Sequence, residues 1–327
     1  MVTLVTTLPN RGYSLITDLH DRHPIIQAIV NEKPSNHPLI GVAPGSGLIT
    51  RTANAAGADV FFALSAGVYR TVGVGSLASF LAFGNANDQT EELLKRHILP
   101  HCGSTPVVVG QMPSDPSFSL EKRLNNLEKL GVNAITNWPA TGLTSGTMRE
   151  IMAQQGVSHQ TEREMLVAAK ERGFAIFGFA LSSEEVESFC EIGVDGLILN
   201  VGLTKSVQDT LDKRNQIQSA ITTAREMWQP LSRMNLKPLC FLFGGSIIQP
   251  LDLEEILREI PIHGYAGGSA FERIPVQAIV DSTVRRLKGV IRPESSSQDL
   301  DNYSNRPNFV GNSRQMKEIY NLIDRIA

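Results

Sequence analysis

Eight short apolar runs, rich in β-branched residues, recur along the sequence with helical segments between them. This alternation is the pattern of βα units, which place their strands in a parallel sheet. Eight strands in one continuous series over roughly 250 residues are typical of a closed barrel. The sequence therefore predicts an α/β fold, a (β/α)8 TIM barrel, with strands at 39–43, 60–64, 107–109, 134–137, 174–179, 196–200, 239–243 and 264–266.

A doubly wound open sheet is the alternative architecture. Such a sheet normally carries a glycine-rich phosphate-binding fingerprint directly after its first strand. Here the first strand is followed by PGSG at 44–47, which falls short of that pattern, and glycine pairs follow the last two strands instead. We expect the closed barrel, occupying residues 1–288.

Composition narrows the class of protein further. The chain has 327 residues, 42% of them hydrophobic, and a formal net charge of −3, so it can bury a large core but offers no basic surface for nucleic acid. No apolar run is long enough to cross a membrane, and the three cysteines lie singly beside apolar runs. We expect a cytoplasmic protein with reduced, buried thiols and no membrane partner.

The composition changes after the eighth predicted βα unit. Residues 289–307 contain few core-forming side chains and are typical of a polar linker. Residues 308–327 are predicted to form an amphipathic helix. It could open a further domain, or it could pack on the barrel as an ordinary terminal helix. Its expected N-cap is Ser313, and its apolar positions are Met316, Ile319, Tyr320, Ile323 and Ile326.

Two glycine pairs follow the last two predicted strands. Barrel ligands bind at the carboxyl ends of the strands, and glycine lets backbone N–H groups approach an anion closely. These segments therefore predict a cradle for a phosphate or a carboxylate, although glycines can also serve simply to allow tight turns. The predicted cradle consists of Gly244, Gly245, Ser246, Gly267, Gly268 and Ser269.

Cationic side chains also fall in segments that follow predicted strands. Arg70, Lys205 and Arg273 would together favour a small anionic ligand, because guanidinium and ammonium groups pair with carboxylates and phosphates. Each of them alone could equally be a solvated surface charge. The prediction requires several of them to converge.

Four further polar residues are expected at the same end of the barrel: Asp115, Glu272, Asn137 and Asn200. The two acids could hold a divalent cation such as Mg²⁺ through their oxygens, or act as acid and base. Asp115 could instead cap the helix that begins near Ser119, and Glu272 could simply pair with an arginine.

Several motifs carry a resemblance to a known family. They are GVAPGSG, SAGVYR, GVGSLASFLAFGNAND, VVVGQMPSDP, TNWPATGLTSGTMR, NVGLTKS, FGGSI and HGYAGGSAFERIPV. This set resembles the phosphoenolpyruvate hydrolase-like TIM barrels, also found as the C-terminal half of Tm-1-like proteins. The resemblance implies a barrel related to phosphoenolpyruvate mutase. Where relatives usually show histidine, this sequence has Asn200 and Phe243, so two imidazoles that could bind metal or move a proton are absent.

The segment FVGNSRQMKEIYNLIDRIA resembles the start of the AAA+ ATPase domain in sigma-54-dependent transcriptional activators. The resemblance implies a sensory barrel that binds a small anionic metabolite and controls an attached ATPase. ATP, DNA and sigma-54 RNA polymerase would then bind through domains beyond this sequence. Self-association is expected, since such activators work as oligomers.

Two alternatives to the sensor stay open. An active lyase or hydrolase on phosphoenolpyruvate-like or keto-acid substrates would use Asp115, Glu272 and Arg70 as catalytic residues and could use Mg²⁺. A purely structural dimerisation module would have a filled barrel mouth.

Overall fold

The computed structural model describes residues 23–30, 37–204, 210–234 and 237–290. Its eight parallel strands form a closed barrel in which each strand pairs with the next and β8 pairs with β1. The closed α/β barrel predicted from the sequence is confirmed. In chain order the strands are β1 Leu39–Val42, β2 Val60–Ala63, β3 Val107–Gln111, β4 Ala134–Asn137, β5 Ala175–Ala180, β6 Gly196–Asn200, β7 Leu239–Phe243 and β8 Gly264–Gly267.

Helices connect the strands, and several begin at the serine caps expected of such connections. Ser46, Ser158 and Ser182 each accept a hydrogen bond from a backbone N–H of the first helical turn. The α-helices are α1 Pro24–Val30, α2 Gly47–Ala55, α3 Ala66–Thr71, α4 Ala86–Leu93, α5 Leu120–Lys129, α6 Gly146–Gln154, α7 His159–Glu171, α8 Ser183–Glu191, α9 Thr210–Met234, α10 Pro250–Glu259 and α11 Arg273–Lys288.

The interior of the barrel is packed with aromatic side chains. Phe62 meets Phe177 and Phe241 edge to face, with ring centroids 6.3 and 5.8 Å apart. All three rings are essentially inaccessible to solvent. A filled interior leaves the strand ends as the place where a barrel can bind a ligand.

The chain divides into two compact units, and the boundary falls inside α11, between Pro275 and Val276. The first unit contains the barrel. Of the predicted linker and terminal helix, Gly289 and Val290 are described and the rest lies outside the described residues. Among the described helices, none is long and apolar enough to cross a membrane. The three cysteines are buried, as predicted.

Candidate ligand site at the barrel mouth

A cavity of about 310 Å³ lies at the carboxyl ends of the strands, within the first unit. Its size falls at the lower end of the range usual for small-molecule sites. Segments that follow β2, β4, β6, β7 and β8 contribute its walls. The lining residues are Ala66, Arg70, Gly75, Ser76, Leu77, Trp138, Leu143, Asn200, Gly202, Leu203, Thr204, Phe243, Gly244, Gly268, Ser269 and Arg273.

A buried ion pair joins Arg70 to Glu272. The Arg70 Nε donates to Glu272 Oε2 at 3.0 Å, and the two side chains are 2% and 9% exposed. The other guanidinium nitrogens of Arg70 donate to the Ala43 carbonyl and, at 3.4 Å, to the Ser76 hydroxyl. All three nitrogens of Arg70 are therefore engaged within the protein.

Glycines make room for this pair. A Cβ on Gly268 would lie 2.5 Å from the Arg70 Cζ, and a Cβ on Gly45 would lie 2.8 Å from Glu272 Oε2. Real side chains do not approach so closely, so any larger residue at either position would displace the charged groups. The glycine at 268 thus serves the packing of Arg70 against the β8 loop.

Arg273 places a second guanidinium at the same rim. Its Nη2 donates to the Thr204 carbonyl at 2.8 Å. Burial lowers the pKa of Arg70, the charge and hydrogen bond of Glu272 oppose that effect, and the nearby charge of Arg273 lowers the pKa further. Two of the predicted cationic residues therefore lie close together, while Lys205 lies outside the described residues.

The loop after β7 makes a turn that depends on its two glycines. Gly244 and Gly245 have φ of +76° and +66°, which residues with a Cβ rarely adopt. The Gly245 N–H donates to the Gly202 carbonyl at 2.8 Å, and the buried Tyr265 hydroxyl donates to the Ile247 carbonyl at 3.2 Å. The Gly245 N–H is therefore already used within the protein.

The predicted cradle is only partly gathered at the cavity. Gly244, Gly268 and Ser269 line it. Ser246 is buried and donates to Gln216 of α9, while its carbonyl accepts from Lys213. Gly267 lies within β8, where its carbonyl accepts from the Ala43 N–H at 2.8 Å.

The two predicted asparagines have different roles. Asn137 is fully buried and ties β4 to β5: its Oδ1 accepts from the Phe179 N–H at 2.7 Å, and its Nδ2 donates to Glu162 at 2.8 Å. Asn200 lines the cavity, and its Oδ1 accepts from the Gly202 N–H at 2.8 Å. That bond turns the amide so that Nδ2 is the group left to donate.

Asp115 is held by four donors and is not among the residues that line the cavity. Its carboxylate accepts from Asn85 and Asn87 at 2.7 and 2.9 Å, and from the Ser117 backbone and hydroxyl at 2.8 and 2.7 Å. Burial raises the pKa of Asp115, but these hydrogen bonds outweigh it and hold the pKa at about 2. Asp115 therefore ties the β3 loop to the start of α4.

The carboxylates of Asp115 and Glu272 do not fit a shared Mg²⁺ site. Both face hydrogen-bond donors or a guanidinium, whereas a hard cation needs oxygens turned toward itself. In the part of the chain that the structure describes, no group of three His, Cys, Asp or Glu side chains is placed to hold a metal ion.

Replacing Asp115 by asparagine should change the acid dependence of stability. The folded pKa lies below the unfolded value near 4, so the carboxylate stabilises the fold above about pH 4 and loses this contribution as the pH falls toward 2. Partial exposure screens the charge, so we expect a contribution of about 1 kcal/mol. Urea unfolding from pH 6 to pH 3 should show the wild-type advantage over Asp115→Asn shrinking; a constant difference would contradict this role.

An aromatic wall was not predicted from the sequence. Trp138 and Phe243 line the cavity, and both contact Phe179, with ring centroids 4.8 and 5.1 Å apart. Trp138 directly follows β4, so its position after a strand end was the signal that could have identified it. Phe243, the last residue of β7, was noted only as a departure from the family pattern.

The fold is a TIM barrel like those of the phosphoenolpyruvate mutase/isocitrate lyase superfamily. The chain belongs to the phosphoenolpyruvate hydrolase-like family, whose pattern matches residues 24–290. This finding confirms the family expected from the sequence motifs.

Curated relatives match most of this chain. The "Putative transcriptional regulatory protein y4pA" of Sinorhizobium fredii is 32% identical over 276 residues, covering 83% of this chain and 45% of that protein. The tomato (Solanum lycopersicum) "ToMV susceptible protein tm-1(GCR26)" is 28% identical over 273 residues, covering 83% of this chain and 36% of that protein. The chain thus spans less than half the length of these relatives.

Solved structures share the fold at low identity. A phosphoenolpyruvate phosphomutase from Streptomyces platensis subsp. rosaceus has a TM-score of 0.52 and 14% identity, covering 96% of this chain and 99% of that one. A 2,3-dimethylmalate lyase has a TM-score of 0.51 and 14% identity, covering 88% of this chain and 93% of that one. At this identity the likeness establishes the architecture.

Proposed function

We propose that this barrel is the ligand-sensing domain of a sigma-54-dependent transcriptional regulator and that it binds a small carboxylate or phosphorylated metabolite at its mouth. The observation that carries the proposal is the cavity at the carboxyl ends of the strands, with the guanidinium groups of Arg70 and Arg273 in its wall. Positively charged side chains in a concave site favour a negatively charged ligand.

The comparisons support the regulatory part of the proposal. A relative at 32% identity carries the name of a transcriptional regulatory protein. The engagement of Asp115 and Glu272 by internal partners favours binding over acid–base chemistry at these residues. ATP, DNA and sigma-54 RNA polymerase would bind to other domains of such a regulator.

Signalling requires that the ligand bind two states of the domain unequally. Arg273 is the first residue of α11, the helix that carries the chain from the first unit into the second. An anion that engages Arg273 would therefore act on the start of that helix. This connection is the route we propose from the mouth to a following domain.

Self-association remains part of the proposal. Ile279, Val284 and Leu287 of α11 are 66%, 50% and 68% exposed, and a helix with a bare apolar stripe gains stability from a partner. A second copy of the chain is the partner we propose, which light scattering would test as a mass above that of the monomer.

A thermal-shift screen with product analysis tests the ligand-binding proposal. The chain would be heated with phosphoenolpyruvate, pyruvate, oxalate and short monocarboxylates, with and without Mg²⁺. Binding at 100 times the dissociation constant stabilises the folded state by about 2.7 kcal/mol, enough to raise the melting temperature measurably. We expect at least one compound to stabilise the chain, to be recovered unchanged, and to lose its effect in Arg273→Gln.

Two results would contradict the proposal. Failure of every compound to stabilise the chain would argue against a ligand site at the mouth. Consumption of a stabilising compound would instead indicate an active enzyme.

A further inference from the structure

The described part of the mouth carries few charged side chains. Of the described residues that line the cavity, only Arg70 and Arg273 are charged. Arg70 is buried, paired with Glu272, and has all three nitrogens engaged. Arg273 is half-buried and donates to the Thr204 carbonyl, so a ligand carboxylate would add to the contacts that it already makes. A compound with both a phosphate and a carboxylate would enter with charges that these described groups do not neutralise, at a cost in desolvation.

The uncharged part of the wall is strongly apolar. Trp138, Phe243 and Leu143 lie beside the arginines in the cavity wall. Leu77 and Leu203 complete it, at 44% and 48% exposure. An apolar group bound against these residues would remove them from water.

Polar and apolar side chains lie next to each other in the cavity wall. Asn200 and Phe243 are register partners on β6 and β7, and both line the cavity. The Asn200 Nδ2 and the Ser269 hydroxyl can donate to one end of a ligand while the Phe243 ring contacts its other end. Asn200 and Phe243 stand where the family resemblance implies histidine. Unlike histidine, neither asparagine nor phenylalanine can carry a positive charge.

We propose that the mouth selects a monocarboxylate with an apolar tail over phosphorylated and dicarboxylic compounds. This inference rests on the proposed function, because it assumes that the mouth is a ligand site. The carboxylate binds Arg273 with support from Asn200 and Ser269, and the tail packs against Trp138, Leu143 and Phe243.

Isothermal titration calorimetry of the chain with carboxylates of increasing tail length tests whether the mouth selects such ligands. The probes are acetate, butanoate, hexanoate and 3-phenylpropanoate, with phosphoenolpyruvate and oxalate as the highly charged comparisons. Each methylene that becomes buried should raise the affinity about fourfold. We expect hexanoate and 3-phenylpropanoate to bind at least tenfold more tightly than acetate, phosphoenolpyruvate and oxalate.

Substitutions test separately where the carboxylate and the apolar tail of the ligand bind. Arg273→Gln should weaken every monocarboxylate at least tenfold, whereas Arg258→Gln on the exposed face of α10 should leave binding unchanged. Phe243→Asn should flatten the dependence on tail length while Phe243→Leu preserves it, and melting curves would verify that both variants fold.

The outcomes separate this inference from the proposed function. Equal affinity for all tail lengths, or tightest binding of phosphoenolpyruvate, would overturn the selection and leave the ligand site standing. Undiminished binding by Arg273→Gln would overturn the placement of the carboxylate. Absence of binding by every compound would overturn both proposals.

Discussion

Replacing Arg70 by methionine should lower the free energy of unfolding by about 3–5 kcal/mol. The Glu272 side chain is 9% exposed, and its Oε2 accepts from the Arg70 Nε at 3.0 Å. Removal of the guanidinium would leave a carboxylate in a poorly hydrated site, where burying an uncompensated charge costs much more than a surface ion pair contributes. Urea unfolding of the wild type and Arg70→Met would measure the loss.

Two variants control this experiment. Arg70→Met combined with Glu272→Leu should recover most of the loss, because an apolar pair of similar volume no longer buries a charge. Arg258→Met should cost less than about 1 kcal/mol, since Arg258 and Glu254 form an exposed pair at 63% and 52% exposure. A loss of only about 1 kcal/mol in Arg70→Met would contradict the role given to the buried pair.

Replacing Gly264 by alanine should lower the free energy of unfolding by about 3 kcal/mol, the upper end of the usual range for overpacking. Gly264 is the register partner of Leu39 where β8 meets β1. A Cβ at this position would clash with the Leu39 carbonyl oxygen and lie 2.7 Å from its carbon. Because the obstacle is backbone and not a flexible side chain, the strands would have to separate.

Gly75→Ala is the matched control for this prediction. An added Cβ there meets nothing within 4 Å, and the φ of −71° suits any residue. Its free energy of unfolding should stay within about 0.5 kcal/mol of the wild type. Equal stability of the two variants in urea would show that the β1–β8 contact is not as tight as the structure indicates.

The strands could be predicted because burial on both faces makes them continuous apolar runs. The runs at 196–200 and 239–243 coincide with the observed β6 and β7. The glycines after β7 and β8 also indicated the end of the barrel where the cavity lies. Both features can be read from short segments of the sequence, because they depend only on the composition and spacing of neighbouring residues.

The site could be predicted only in part because contacts across the fold leave no local trace. The sequence left open that Glu272 pairs with an arginine, but Arg70 lies 202 residues away, and nothing in either segment identifies it as that arginine. A position after a strand does not fix the direction of its side chain, so Asn137 and Ser246 were expected at the mouth although their bonds point elsewhere. Trp138, the residue after Asn137, does line the cavity but was not predicted to do so.

The most direct test of the ligand site is a crystal structure of the chain grown with 3-phenylpropanoate. We expect the compound at the barrel mouth, with its carboxylate about 3 Å from the Arg273 guanidinium and its ring against Phe243. A mouth closed by the protein's own side chains, or the compound bound elsewhere, would contradict it.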